Sequence, residues 1–189
     1  NYDIRNNNLH QVYNGSHKCI HLRRAVYDTN NLVLTYNKEI ALTMFDICCG
    51  GIIPHNMSDN DSSKPYLFRK NKCVHCKNKF SCSWREVFSM KDLSFFLNSS
   101  VRLRRKIKKL GRLINVSVKV KDKAGIVQNV LLTGYNENII LSASEFKSIL
   151  PNGLKSLAFS MKKSKNNIII SGSGFGHNIG LCQIGSREL

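Results

Sequence analysis

Near its C-terminal end the chain reads Ser171-Gly172-Ser173-Gly174-Phe175-Gly176-His177-Asn178-Ile179-Gly180, with four glycines in nine residues. Glycines so close together let a backbone turn tightly and approach a ligand with no Cβ in the way. His177 sits in the middle, where it can donate a hydrogen bond to a ligand oxygen or shuttle a proton. Gln183 follows in Leu181-Cys182-Gln183-Ile184-Gly185 and offers both donor and acceptor. A dinucleotide fingerprint is excluded, because the G-x-G-x-x-G spacing is not met and too little chain follows to finish a βαβ unit. A P-loop is excluded by the lack of Gly-Lys-Ser/Thr. The plain alternative is a loop that closes a β-lobe, with His177 satisfying a backbone carbonyl.

Upstream, periodicity sorts the chain into short elements. Residues 16–28 carry apolar positions at Cys19, Leu22 and Val26 behind Ser16, which predicts a short capped helix. The runs 32–36 and 40–45 flank Asn37-Lys38 and read as a hairpin that ends at Cys48-Cys49-Gly50-Gly51. Residues 52–82 are loop-like, with a polar patch between Pro54 and Pro65. Ser89-x-x-Asp92 and Ser142-x-x-Glu145 both have capping-box form and predict helices; Pro151 and Gly153 close the second. Ile114, Val116, Val118 and Val120 alternate with polar residues as in a half-buried strand. A turn at 122–125 and strands at 126–132, 157–161 and 167–171 complete the reading. Helices and strands mix without a βαβ rhythm, so the expected class is α+β, with β-rich lobes and a few short helices. Two lobes are expected: 1–100, holding the hairpin and a cysteine-rich loop, and 101–189, ending in the glycine loop.

The cysteines form a second constellation. There are seven, enough for three disulfides in an oxidising compartment and suggestive of metal in a reducing one. Cys73-Val74-His75-Cys76 is a C-x-x-C knuckle, Cys82 lies six residues on, and Cys48-Cys49 ends the hairpin. The two knuckle thiolates with Cys49 and one of Cys48, Cys82, His75 or Asp46 would complete a tetrahedral zinc site. Cys49, Cys73, Cys76 and Cys82 are the set taken here, with a structural zinc as cofactor. Disulfides and uncombined thiols stay open as alternatives, since the partner C-x-x-C of a zinc ribbon is missing.

Charge bears on partners. The net charge is +17, from 29 basic and 12 acidic residues, which favours polyanions such as nucleic acid, anionic lipid or acidic envelope polymers. An AT-rich genome that fills polar positions with Lys and Asn would give the same excess. Seven basic residues crowd VRLRRKIKKLGR at 101–112, either as a solvated face or as a salt-sensitive contact for anionic wall polymers. No stretch approaches the roughly 20 apolar residues that span a bilayer. The start at Asn1, with no basic-then-apolar signal segment, reads as an internal piece of a longer protein.

The glycine loop belongs to a longer pattern. Gly172-x-Gly174-Phe175-Gly176-His177-x-x-Gly180-Leu181-Cys182-Gln183-x-Gly185 resembles the signature of the stage II sporulation protein D and amidase-enhancer family, G-x-G-F-G-H-G-V-G-M/L-S/C-Q-W-G-A. Gln11-Val12-Tyr13-x-Gly15, Ala25-Val26-x-x-Thr29, Leu32 to Asn37, Cys49-Gly50-Gly51 and Pro65-Tyr66-Leu67 resemble further family motifs in order. So do Cys73-x-x-Cys76, Trp84, Glu145-Phe146-Lys147 and Leu154-Lys155-Ser156. Asp46, Asn178 and Ile184 depart from the pattern, standing where the family has His, Gly and Trp.

The resemblance implies a peptidoglycan-directed domain of a lytic transglycosylase, acting on peptide-stripped glycan strands in wall remodelling, sporulation or septation. It implies a cell-envelope location and a parent protein that is secreted or membrane-anchored. One carboxylic acid would protonate the glycosidic oxygen and then, as carboxylate, help the sugar's 6-hydroxyl attack the anomeric carbon. The family's catalytic Glu lies in an E-Y-L-x-x-V-x-x-E-M-P segment that would precede Asn1, so no catalytic residue is assigned here. Gly174, Phe175, Gly176, His177 and Gln183 are expected to position substrate. One alternative within the family is a non-catalytic enhancer that partners a cell-wall amidase. Another, from a different class, is a zinc-containing nucleic-acid-binding protein, weakened because the basic residues are not interleaved with aromatics.

Overall fold

The structure, a computed structural model, describes residues 14–16, 18–53, 64–67, 73–76 and 82–188. The Gln11-Val12-Tyr13 motif, Pro54 and the polar patch after it lie outside the described residues. The chain divides into two compact units, Asn1–Ala41 and Leu42–Leu189.

In the first unit, α1 (Ile20–Asp28) precedes a hairpin of β1 (Thr35–Tyr36) and β2 (Glu39–Ile40). The hairpin turn falls on Asn37-Lys38 as expected, with φ of 51° and 67°. Both turn residues in the left-handed region make the mirror-image turn whose twist matches paired strands. The helix starts later than the sequence suggests. Cys19 is its N-cap, with no side-chain cap bond, so Ser16 lies outside it.

In the second unit, two antiparallel three-stranded sheets hold the core. One runs β4 (Ser83–Ser89), β9 (Asn167–Ser173), β8 (Phe159–Ser164); the other runs β5 (Leu113–Lys121), β6 (Val127–Gly134), β7 (Asn138–Ser142). β4 pairs with β9 along its full length, from Ser83 opposite Ser173 to Ser89 opposite Asn167. Strand pairing therefore runs across the lobe boundary expected at residue 100. The class is mixed α+β, several small sheets with short helices.

Helices α2 (Met90–Ser99), α3 (Arg104–Leu110) and α4 (Ala143–Ile149) supply Leu93, Leu97, Ile107, Leu110 and Phe146 to one apolar core with Val116, Val130, Leu132, Ile168 and Ile170. Both capping serines act as expected. The Ser89 hydroxyl accepts from the Asp92 N–H, and Ser142 with Glu145 completes a reciprocal capping box. The basic run is an amphipathic helix: Leu103, Ile107 and Leu110 are buried while all seven basic side chains are exposed. Strand β5 departs from simple alternation. A register shift between Leu113 and Asn115 turns Leu113 and Val116 inward and leaves Ile114 exposed, as a bulge does when it reverses the faces. Among the described residues no helix is long and apolar enough to cross a membrane.

Candidate metal centre

Four short segments of the second unit converge on a cluster of sulfurs. The two-residue strand β3 (Phe45–Asp46) pairs in parallel with β10 (Leu181–Cys182), setting Cys182 beside Asp46. Two residues on, Cys48 makes an antiparallel bridge to the glycine loop: its N–H donates to Phe175 O at 3.1 Å and its carbonyl accepts from Phe175 N–H at 2.7 Å. The chain then reverses at Gly50 and Gly51, with φ of 63° and 75°. A Cβ on Gly50 would run into Ser173 and the Gly174 backbone, so only glycine lets this turn seat against the loop. The knuckle turn at 74–76 brings Cys73 and Cys76 from the third segment. Helix α5 (Gln183–Ser186), capped by Cys182, closes the fourth side.

The ligand atoms of Cys49, Cys73, Cys76 and Cys182 all lie within 4.8 Å of one another. A tetrahedral ion with metal–sulfur bonds of about 2.3 Å needs sulfurs about 3.8 Å apart, so small adjustments suffice. Iron–sulfur clusters, in which the thiolates are shared among several irons, spread them more widely. Cys49, Cys76 and Cys182 are buried and Cys73 is half-buried. Four protein thiols with little access for solvent match a closed, structural site rather than one that keeps a position open for substrate. These cysteines can hold a metal ion.

Backbone amides tune the sulfurs. Cys182 Sγ accepts from Cys49 N–H and Gly185 N–H, each at 3.3 Å. Burial pushes the Cys182 thiol up, but these donors, with the Cys76 and Cys49 thiols, outweigh it and hold the group below an ordinary thiol. Cys76 goes the other way. Burial raises it, and the thiols of Cys182, 3.3 Å away, and Cys73 add to the rise. A bound cation would favour the ionised form of both sulfurs and relieve their crowding. Gly185 makes room for this packing, since a Cβ there would lie 2.8 Å from Cys73 Sγ.

Three of the four expected metal ligands, Cys49, Cys73 and Cys76, come together here. Cys82 instead forms a disulfide with Cys48, Cα–Cα 6.0 Å, and Cys182 stands in the fourth place. Cys82 immediately precedes β4, and its carbonyl accepts from Gly174 N–H, which holds it on the Cys48 side. His75 and Asp46, the other candidates for that place, do not belong to the cluster. Cys182 was hidden because it follows Cys76 by 106 residues, and no local spacing motif spans that distance.

The glycine loop is pinned to the same centre. Gly174 N–H donates to Cys82 O, Gly176 N–H to Lys155 O and Gly180 N–H to Leu67 O. Asn178, where the resembled family has Gly, adopts φ 67°. Asn is the side chain that best tolerates this region, and its Nδ2 donates to Cys49 O at 3.0 Å. Ile184, where that family has Trp, packs against the cysteines. Of the expected substrate residues, Gly174 is buried and Gly176 half-buried as part of this wrap. Phe175 and His177 face outward, with Lys155 Nζ 6.0 Å from the Phe175 ring centre. The His177 Nδ1 accepts from Ile179 N–H at 3.1 Å, so in the neutral ring the proton sits on Nε2. Gln183 is exposed on α5, one element further on. A shallow open groove of about 450 Å³ lies beside the loop, lined by Trp84, Lys121, Phe159 and Ser160, and meets the loop at its start, Ser171 to Ser173.

The fold and site define an α+β protein with a buried four-cysteine centre that anchors a glycine loop. The chain belongs to the family described as a domain of unknown function (DUF8618), whose model matches residues 7–180. It is also 29% identical over 188 residues to an uncharacterized protein of Brachyspira hyodysenteriae. That match covers 98% of this chain and 48% of the relative, so the chain spans about half the length of the curated protein it matches.

Proposed function

We propose that this chain is a peptidoglycan-directed domain of a lytic transglycosylase-like protein, in which a structural zinc on Cys49, Cys73, Cys76 and Cys182 rigidifies a glycan-contacting loop. The observation that carries the reading is the loop's construction. The Gly174 N–H, the Phe175 backbone and the Asn178 side chain tie inward to Cys82, Cys48 and Cys49, while the Phe175 and His177 side chains turn outward with Lys155 alongside. An exposed aromatic face flanked by polar donors is suited to a pyranose ring, which offers C–H groups on its faces and hydroxyls on its rim. Holding such a loop in one conformation before the ligand arrives lowers the ordering cost of binding. The resemblance in the signature supports the same assignment. So does the Cys48–Cys82 disulfide, which suits an extracytoplasmic envelope protein. On this reading the chain binds and positions glycan, and the proton donor comes from elsewhere.

The test is retention of the purified chain on peptide-stripped glycan strands, with duplex DNA as competitor. We expect Phe175→Ala and His177→Ala each to weaken binding about tenfold, or about 1.4 kcal/mol, with metal content unchanged. Equal binding by both variants, or displacement by DNA at stoichiometric amounts, refutes the glycan reading and favours the nucleic-acid one.

A further inference from the structure

We infer that reducing the Cys48–Cys82 disulfide creates a second metal site, on Cys48, Cys76 and Cys82, which shares Cys76 with the four-cysteine centre. The inference rests on the reading of that centre as a metal site.

Six sulfurs of the second unit fall into two groups with one member in common. Cys49, Cys73, Cys76 and Cys182 form the first and Cys48, Cys76 and Cys82 the second; within each, every sulfur lies within 4.8 Å of the others. In the disulfide, Cys48 and Cys82 are neutral and offer a metal little. Two external thiols, oxidised to a disulfide, or a phosphine with one water, oxidised to its oxide, supply two electrons and two protons. These break the S–S bond to two thiols, whose protons pass to solvent as the metal binds the thiolates. A thiolate keeps lone pairs after binding one ion, so Cys76 can bridge two. Three thiolates suit a second thiophilic d10 ion such as zinc, with its fourth position left to water.

Burial supplies the driving force. Cys48, Cys76 and Cys82 are each no more than 1% exposed. Two new negative charges in that setting are costly unless neutralised by protons or by a cation. The Cys48 sulfur already accepts an amide, Gly50 N–H at 3.3 Å, as Cys182 does in the first centre.

The experiment uses the full chain equilibrated with zinc, desalted, and divided into oxidised and phosphine-reduced samples with thiols counted in each. Elemental analysis then gives zinc per chain. One zinc more in the reduced sample is the expected result. The same zinc content in both, with two additional thiols confirmed, overturns the inference while leaving the first centre intact. No zinc in the oxidised sample overturns the first centre and this inference with it. A second readout is the disulfide's midpoint potential. If the dithiol form alone binds the second ion, the potential rises about 30 mV per tenfold increase in free zinc once the site fills. A potential indifferent to zinc overturns the proposal. Cys82→Ala, which removes one of the three sulfurs and the bridge together, should gain no zinc on reduction.

Discussion

The division of labour among the cysteines can be tested by removing the disulfide alone, with Cys48→Ala/Cys82→Ala. The bridge joins positions separated by 34 residues. Closing a loop of that length removes about 12.6 cal/mol/K from the unfolded chain, which is about 3.8 kcal/mol at 25 °C. A metal on the four-cysteine centre acts on the other end of the equilibrium. At free zinc one hundred times its dissociation constant it adds about 2.7 kcal/mol to the native state. Because one effect works through the unfolded ensemble and the other through the folded one, the two losses should add. Urea unfolding of wild type and variant, each with zinc and with chelator, gives the four stabilities required. The variant should lose about 3.8 kcal/mol in both conditions, show a larger denaturant slope because its unfolded chain is less constrained, and still hold zinc. If the loss falls by more than half in chelator, or if the variant binds no zinc, then Cys82 or Cys48 is a ligand of the first metal and the disulfide and the metal centre are not separate.

Other outcomes follow from local geometry. Ser142→Ala breaks a complete capping box and should cost about 1 kcal/mol in urea unfolding; a change within about 0.3 kcal/mol would count against it. The Ser142 N–H, and then the Lys106 ammonium 3.0 Å away, hold the Glu145 carboxyl below the usual carboxylate range. A group lowered on folding contributes stability above its unfolded pKa and loses it as pH falls through its folded value. Glu145→Gln should therefore narrow the stability difference between neutral and acidic pH; an unchanged pH profile would show that the carboxylate contributes nothing. Gly180 has φ 71°, and a Cβ there would overlap Met44 O. Gly180→Ala should cost more than about 1 kcal/mol and loosen the β3–β10 pairing, visible as faster amide exchange at Leu181.

Much of the local architecture was legible because it depends on short-range physics. Asn37-Lys38 marked a turn, Ser89 and Ser142 marked helix starts, and α2 and α4 begin where those serines stand. What escaped shares one cause. β4 carries Arg85 and Glu86 at its centre, and only pairing with β9 makes it a strand. The basic run does present a solvated face, but its other side, Leu103, Ile107 and Leu110, packs into the core as α3, and only the partner elements show that. The apparent alternation from Ile114 to Val120 hid a bulge that depends on the partner strand β6.

The residues alone determined that the glycine loop must turn tightly, that the chain is α+β, and that Cys49, Cys73 and Cys76 stand among the candidate ligands. Those conclusions follow from φ/ψ preference, periodicity and short spacings, all of which are properties of neighbours along the chain. Only the tertiary structure decided that Cys182 joins them, that Cys82 pairs with Cys48, and that Asn178 serves where a glycine was expected. The first depends on a parallel pairing between residues 45–46 and 181–182, and the other two on the glycine loop bonding to Cys48, Cys49 and Cys82. Such a long closure is specified by the whole folded core rather than by any segment within it.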